Sequence, residues 1–187
     1  MIHEVIVTTI DLKQKPHIAP MGIRYQDDNI VISPFKPSQT LENILSNKKA
    51  VINFIDDVSV FAGIVTGEKR EWELNNQNDF PVPYIKHTNT YTNLEVIIHN
   101  DHEIRPNLIC KIISENVCRP FRGFNRAQFS VIESAVLSTR LGMIDDDKVN
   151  REIEYLKIGI EKTAGAREKK GWEWIMKKIN NYMKDND

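Results

Sequence analysis

The strongest constraint on the fold is a change of hydrophobic period near residue 125. Ahead of it, Val- and Ile-rich runs are short: EVIVTTI at 4–10, then HIAPMGIRY and NIVISPF, separated by the polar or turn-forming segments DLKQKP and QDDN. Runs of this length, bounded by turn formers, read as a meander of antiparallel strands. AVINFI, NLEVIIHN and NLICKIISENVC continue the pattern, with the turn-prone DHEIRP between the last two. Beyond it, GFNRAQFSVIESAVLSTRLG takes helical spacing, with Asn125 as N-cap, Gly142 as stop, and Phe129, Ile132 and Val136 on one stripe. Two further helices follow, one with Ile153, Leu156 and Ile160 and one with Trp172, Ile175, Met176 and Ile179, and they read as a helical hairpin. Asp145–Asp147 fit the loop and N-cap of the first of these helices. The expected class is mainly β (α+β), divided into a β domain over residues 1–124 and C-terminal helices over 125–187.

Composition excludes several function classes. Lys and Arg total 25 against 26 for Asp and Glu, a formal charge of -1, which gives no general attraction to a polyanion, so no nucleic-acid partner is expected. The N-terminus lacks a basic opening followed by a long apolar run, and no segment approaches the length of a membrane span. A cytoplasmic protein with no membrane partner is the expectation. Two cysteines, Cys110 and Cys118, cannot make a dense disulfide framework, and reduced thiols follow. Together with His99 and His102 they are legitimate zinc ligands, but they lack close pairing and lie in apolar strand-like runs, so no metal site is assigned. Trp172 and Trp174 sit among lysines, where hairpin packing accounts for them better than a membrane or nucleic-acid stripe.

One junction carries chemistry. PFKPSQTLENI, residues 34–44, joins a strand to a brief helix whose Leu41, Ile44 and Leu45 fall at helical spacing. A helix that begins at Ser38 or Thr40 exposes unpaired N–H groups, and its partial positive charge favours an anion. Lys36 adds a full charge, and Ser38, Gln39 and Thr40 add donors suited to phosphate oxygens. From this segment alone an ordinary cap with a solvated lysine explains the residues too. A second charged series, Arg126, Glu133 and Arg140, recurs every seven residues along one helix face, as a solvated stripe or as an anion contact at the helix start. No triad, P-loop or GxGxxG is present.

The arrangement K-x-x-x-T-x-x-N, here Lys36, Thr40 and Asn43, leads into AVINF and follows an HIAPMG strand. It resembles the FMN-binding split-barrel superfamily of flavin reductases and pyridoxamine-phosphate-oxidase-like proteins. RPFRGFNRAQFSVIESAVLSTRL resembles the hallmark helix of an uncharacterised, mainly archaeal and methylotroph branch of that superfamily, and KPSQT departs from the reductase pattern by inserting Pro37 and Gln39. The resemblance implies a split β-barrel of antiparallel strands with C-terminal helices, and FMN as cofactor. It places the phosphate at Lys36, Ser38, Gln39, Thr40 and Asn43. Ala19, Pro20, Met21, Gly22 and Ile23 would border the isoalloxazine, with Asn53 near the flavin. Arg119, Asn125 and Arg126 are further candidates, Arg122 extends the basic run, and His17 lies next to the flavin-bordering strand. A homodimer with FMN at or near the interface is implied, and with it an oxidoreductase that moves hydride or electrons between a reduced nicotinamide or other donor and a small acceptor. A non-catalytic flavin carrier or sensor, and a non-flavin β-barrel adaptor, are the alternatives. Neither the substrate nor a catalytic acid or base is legible.

Overall fold

The computed structural model describes residues 1–186. Cα packing divides the chain into two compact units: Met1–Ile55 with Glu73–Phe121, and Asp56–Trp72 with the chain from Arg122 onward. Residues 56–72, which the contiguous 1–124 division assigns to the β domain, therefore pack with the helices. Their helix, α2 (Ser59–Thr66), is a short run of Val, Phe, Ile and small residues with no period of its own. In sequence such a run cannot be told from a buried strand.

The first unit is a closed antiparallel barrel in the order β1-β2-β3-β8-β7-β4. Its strands are β1 (His3–Ile10), β2 (Pro16–Gln26), β3 (Asn29–Ile32), β4 (Lys49–Phe54), β7 (Thr90–Asn100) and β8 (Asn107–Val117). A two-stranded ribbon, β5 (Leu74–Asn75) and β6 (Tyr84–Ile85), joins the same unit. Strand alternation sorts the side chains. Val5 and Val7 of β1 and Ala50 and Ile52 of β4 meet Ile23, Ile30, Ile32, Leu94 and Leu108 in the barrel core, whereas Ile10 and Val51 pack with Phe80 and Val82 in a separate cluster. Both faces of β1 and β4 are thus apolar, which explains why their sequences read as continuous rather than alternating runs. Two strand connections use positive φ at non-glycine residues, Gln14 (65°) and Asp27 (52°). At the first, Asp11 Oδ1 accepts from the N–H groups of Lys13 and Lys15 at 2.8 and 2.9 Å.

Helix α1 (Gln39–Asn47) begins where its sequence indicates, with Ser38 at the N-cap. Leu41 and Ile44 drop into the barrel core. Asn43 follows them inward, donating to Thr9 Oγ1 at 2.9 Å.

The second unit combines α2 with α3 (Arg126–Ser138), α4 (Asp146–Thr163) and α5 (Ala166–Asn186). The hairpin residues Leu156, Ile160, Ile175 and Ile179 are buried, and Asp145 caps α4 by accepting from Lys148 N at 3.1 Å. The apolar residues of α3 do not all share one environment. Phe129 is 58% exposed, and the buried face is instead Ala127, Ser130, Val131, Ser134, Ala135 and Ser138. The reason is close helix approach: a Cβ added to Gly159 of α4 would stand 2.4 Å from Ser130 Oγ and 3.2 Å from the Arg126 carbonyl oxygen. Small side chains win the interface because larger ones do not fit, which a count of apolar residues misses.

Candidate functional site

Three residues of the 34–44 junction stand at the open end of α1. Ser38 is extended (φ -156°, ψ 145°), and its hydroxyl accepts from Leu41 N at 3.3 Å. That bond and the one from Glu42 N to the Ser38 carbonyl satisfy the later N–H groups of the first turn. Among the described residues the N–H groups of Gln39 and Thr40 meet no protein acceptor, which is the state in which a helix start attracts an anion. The side chains divide. Gln39 lies at the surface and donates to Asn43 Oδ1 at 2.8 Å. Thr40 and Asn43 are buried at 1% and 2% exposure, and Asn43 helps seat the helix on the barrel through its bond to Thr9. A shallow cleft of about 290 Å³ runs beside this helix, lined by Gln39, Glu42, Asn43 and Ser46 and by the β1–β2 turn. Asp11, Glu42 and Lys13 give it charges of both signs.

Lys36 stands ahead of the helix in a network that the sequence did not announce. Its ammonium is paired with the Asp101 carboxylate at the tip of the β7–β8 connection, and its N–H donates to the Ile104 carbonyl at 2.8 Å. From the same tip, Arg105 donates to the Ser33 carbonyl through Nε at 3.2 Å and through its terminal nitrogen at 3.0 Å, and its guanidinium lies 4.4 Å from the centroid of the Phe35 ring. Residues 33–36 are thereby held by residues 101–105. The Lys36 hydrogen bond to Asp101, joined by the His102 N–H, holds that carboxyl below its ordinary value. DHEIRP gives only a turn signal. Its capacity to position Lys36 depends on a contact 65 residues away in sequence, which no local pattern encodes.

On β2 the candidates Ala19, Pro20, Met21, Gly22 and Ile23 alternate faces. Their register partners on β1 are Val7, Ile6, Val5, Glu4 and His3. Ile23 and Met21 pack in or against the barrel core, leaving Pro20 and Gly22 on the other face. A Cβ added at Gly22 would come within 2.7 Å of Ile2 Cγ2, so Gly22 lets the N-terminal segment lie close over the strand. His17 is the register partner of Thr9. Asn53 is fully buried: its amide donates to the Ile6 carbonyl at 3.0 Å and to Thr8 Oγ1 at 2.9 Å, and its oxygen accepts from Ile85 N at 2.7 Å. These bonds tie β1, β4 and β6 together. Arg119 donates to the carbonyls of His87 and Thr88.

Asn125 and Arg126 belong to the helical unit. The Asn125 oxygen accepts from Ala127 N at 2.8 Å and from the Thr163 hydroxyl at 3.1 Å, while its amide donates to the Thr163 carbonyl at 3.1 Å. Arg126 is exposed and borders a groove of about 270 Å³ with Phe129, Tyr155 and Ile158. Arg126, Glu133 and Arg140 all lie at the surface.

Burial pushes the Cys110 thiol up to about 12, a reactivity-poor core position, while Cys118 is exposed. Among the described residues no three His, Cys, Asp or Glu side chains converge as a metal set, and no helix is long and apolar enough to cross a membrane.

With this geometry in place, comparisons with known proteins cover nearly the whole chain. The family model described as the N-terminal domain of a protein of unknown function (DUF447) matches residues 3–119, and a second DUF447 model matches residues 125–177. The uncharacterized protein MJ1453 of Methanocaldococcus jannaschii is 24% identical over 197 residues, covering 96% of this chain and 99% of that protein. Among solved structures, the FMN-bound DUF447 protein MM1853 of Methanosarcina mazei superposes with a TM-score of 0.79 at 23% identity, over 95% of this chain and 94% of its own. The 2-nitrobenzoate 2-nitroreductase NbaA of Pseudomonas fluorescens (TM-score 0.53, 17% identity) covers 62% of this chain and 64% of its own. The styrene monooxygenase flavin reductase of Pseudomonas putida S12 (TM-score 0.52, 8% identity) covers 62% and 81%. The fold is that of the split-barrel flavin-reductase-like proteins, with additional helices.

Proposed function

We propose, from the premise that this chain belongs to the DUF447 family of proteins of unknown function, that it is an FMN-binding flavoprotein and an oxidoreductase. The observation that carries the reading is the superposition on the FMN-bound protein MM1853, which runs through both the barrel and the helices. The oxidoreductase part draws its support from the nitroreductase and the flavin reductase that share the barrel.

The residues of the α1 start fit the phosphate end of such a cofactor. The open N–H groups of Gln39 and Thr40, the Ser38 hydroxyl and the Lys36 ammonium supply donors and positive charge. Asp101 and Arg105 set where Lys36 stands, and Asp101 competes with a phosphate for the same ammonium. Pro20 offers a strand surface of low side-chain bulk for a planar ring, with Ile2 covering Gly22 nearby. When bound, FMN supplies hydride and electron transfer through its ring system. The part left to this chain is to anchor, orient and shield.

A homodimer is the second part of the proposal. Ile98 of β7 and Val117 of β8 are 46% and 79% exposed, apolar side chains of the kind that a second copy covers. Sedimentation equilibrium then returns twice the chain mass of 21.7 kDa. A monomer that holds FMN stoichiometrically would remove the dimer and leave the flavoprotein.

The function itself is tested by titrating the purified chain with FMN and following quenching of flavin fluorescence, then adding NADH or NADPH and an electron acceptor. Saturable binding, bleaching of the flavin band by the nicotinamide and its return with the acceptor are expected. Binding without bleaching by either nicotinamide would make the chain a flavin carrier or sensor, and no binding would overturn the reading.

A further inference from the structure

The barrel unit carries a second concavity that the proposed flavin role does not use. A cleft of about 440 Å³ lies between the 76–80 loop, Tyr84, Tyr91 and Asn93 of β7, and Ser114 and Asn116 of β8. Register places Tyr91 opposite Asn116 and Asn93 opposite Ser114, so four polar or aromatic side chains share one face of two paired strands. The floor is pre-organised. Asn93, 5% exposed, exchanges two hydrogen bonds with Gln77 at 2.9 and 3.0 Å and donates to Ser114 Oγ at 3.0 Å. Asn116 donates to the same oxygen at 3.3 Å. Ser114 Oγ thus accepts twice, and its own proton finds no protein acceptor among the described residues, nor does Asn116 Oδ1 find a donor. Tyr84 and Tyr91 form an aromatic wall, stacked 4.0 Å apart at 10°. No lysine or arginine lines the cleft, and Asp79 is its one charged residue.

We propose that this cleft binds an uncharged nucleoside-like ligand, a planar heterocycle whose edge sets a donor beside an acceptor, joined to a hydroxylated sugar. Carboxamides at Asn76, Asn78 and Asn116 present the paired donor and acceptor that reads an amidine-type edge such as that of adenine. The tyrosines offer an aromatic surface to a flat ring, and a carboxylate is a natural partner for sugar hydroxyls. A phosphorylated ligand is disfavoured because Asp79 repels it and no cation replaces the water it loses. A cleft of this size lies within the range of small-ligand sites. The inference stands independently of the flavin reading.

The test is calorimetric titration of the full chain with adenosine, AMP and glucose in excess FMN, so that any flavin site is already filled. If the chain binds no FMN, the excess changes nothing and the adenosine result is read unaltered. Saturable adenosine binding is expected, with AMP at least tenfold weaker and no response to glucose. Asn116→Leu should weaken adenosine at least tenfold. Asn78→Ala, in the loop, gives a second variant in case the strand substitution disturbs folding, with a loss of several-fold. The proposal is overturned if adenosine does not bind, if AMP or glucose binds as tightly, or if both folded variants bind adenosine like the parent chain.

Discussion

At the start of α1, Ser38 holds one backbone N–H, from Leu41, while the N–H groups of Gln39 and Thr40 stay open and Lys36 stands ahead of them. At the start of α3, Asn125 holds Ala127 N, and the end of α4 closes over both: the Thr163 hydroxyl accepts from Ala127 N at 3.0 Å and donates to Asn125. In sequence the two sites look alike, each a small polar cap with a basic residue within two positions. What separates them is tertiary. A helix start binds an anion only if no other part of the protein has already satisfied its donors. A small polar cap therefore leaves donors open in one unit and joins a helix–helix clasp in the other.

The closed start breaks most readily from the α4 side. Gly159→Val puts a Cβ within 2.4 Å of Ser130 Oγ, and Ser130 is itself buried and bonded to the Arg126 carbonyl. Overpacking of this kind costs about 1–3 kcal/mol. For a chain of this length each kcal/mol lowers the melting temperature by about 2–4 °C. A thermal melt should show the loss, while FMN affinity, measured well below the transition, should stay unchanged. Equal loss of both would mean that the helical unit and the flavin site are one energetic element.

The open start breaks at Lys36. Charge-assisted hydrogen bonds are worth about 1.5–3 kcal/mol, and sharing with Asp101 places Lys36→Ala at the lower end, about a tenfold loss of FMN affinity. Stability should hardly move, because the pair is surface-exposed. Asp101→Asn should act in the opposite sense, tightening FMN by freeing the ammonium. The pH dependence has a definite sign. The Asp101 carboxyl sits below its ordinary 3.8, so whatever stability its pair contributes is fully present above that value and is lost as pH falls through the lowered one. Between pH 5 and 8 this pair gives a flat stability profile. Protonation of the phosphate, whose second pKa is about 6, should weaken FMN binding as pH falls through that window.

Asn125→Ala tests the clasp from the cap side. Loss of the cap costs about 1 kcal/mol. Here Thr163 keeps one bond to Ala127 N, which argues for that figure rather than a larger one. Equilibrium denaturation should register it, and an FMN titration should not.

Much of this was legible in the sequence because it is local. Strand runs, the Ser38, Asn125 and Asp145 caps and the hairpin stripes all depend on residues within a few positions of one another. Other features are set by distant parts of the chain. Phe129 is exposed, and the glycine that decides which face of α3 is buried lies 30 residues later. Hydroxyls and amides serve ligand binding and packing alike, and the burial of Thr40 and Asn43, with Asn43 bonded to Thr9, is set by the barrel. Asn53 takes its partners from β1 and β6, on either side of it in the chain. Donor and acceptor chemistry is readable from sequence. Whether it is already satisfied is not.

The smallest effect is expected at Arg126, and it is the sharpest test of the comparison. Its guanidinium is exposed on the rim of the α3–α4 groove, and its backbone lies inside the clasp that closes the helix start. Arg126→Lys keeps the charge and removes only the planar fork. If the α3 start is closed, the substitution should change neither the melting transition nor FMN affinity by more than about 0.5 kcal/mol, the usual range for a surface position. A thermal melt and a fluorescence titration on this one variant suffice. A tenfold loss of FMN affinity at unchanged stability would show that the arginine holds the cofactor with its side chain even though the Ala127 N–H beneath it is taken. The open and closed starts would then have to be ranked by side-chain reach rather than by backbone satisfaction.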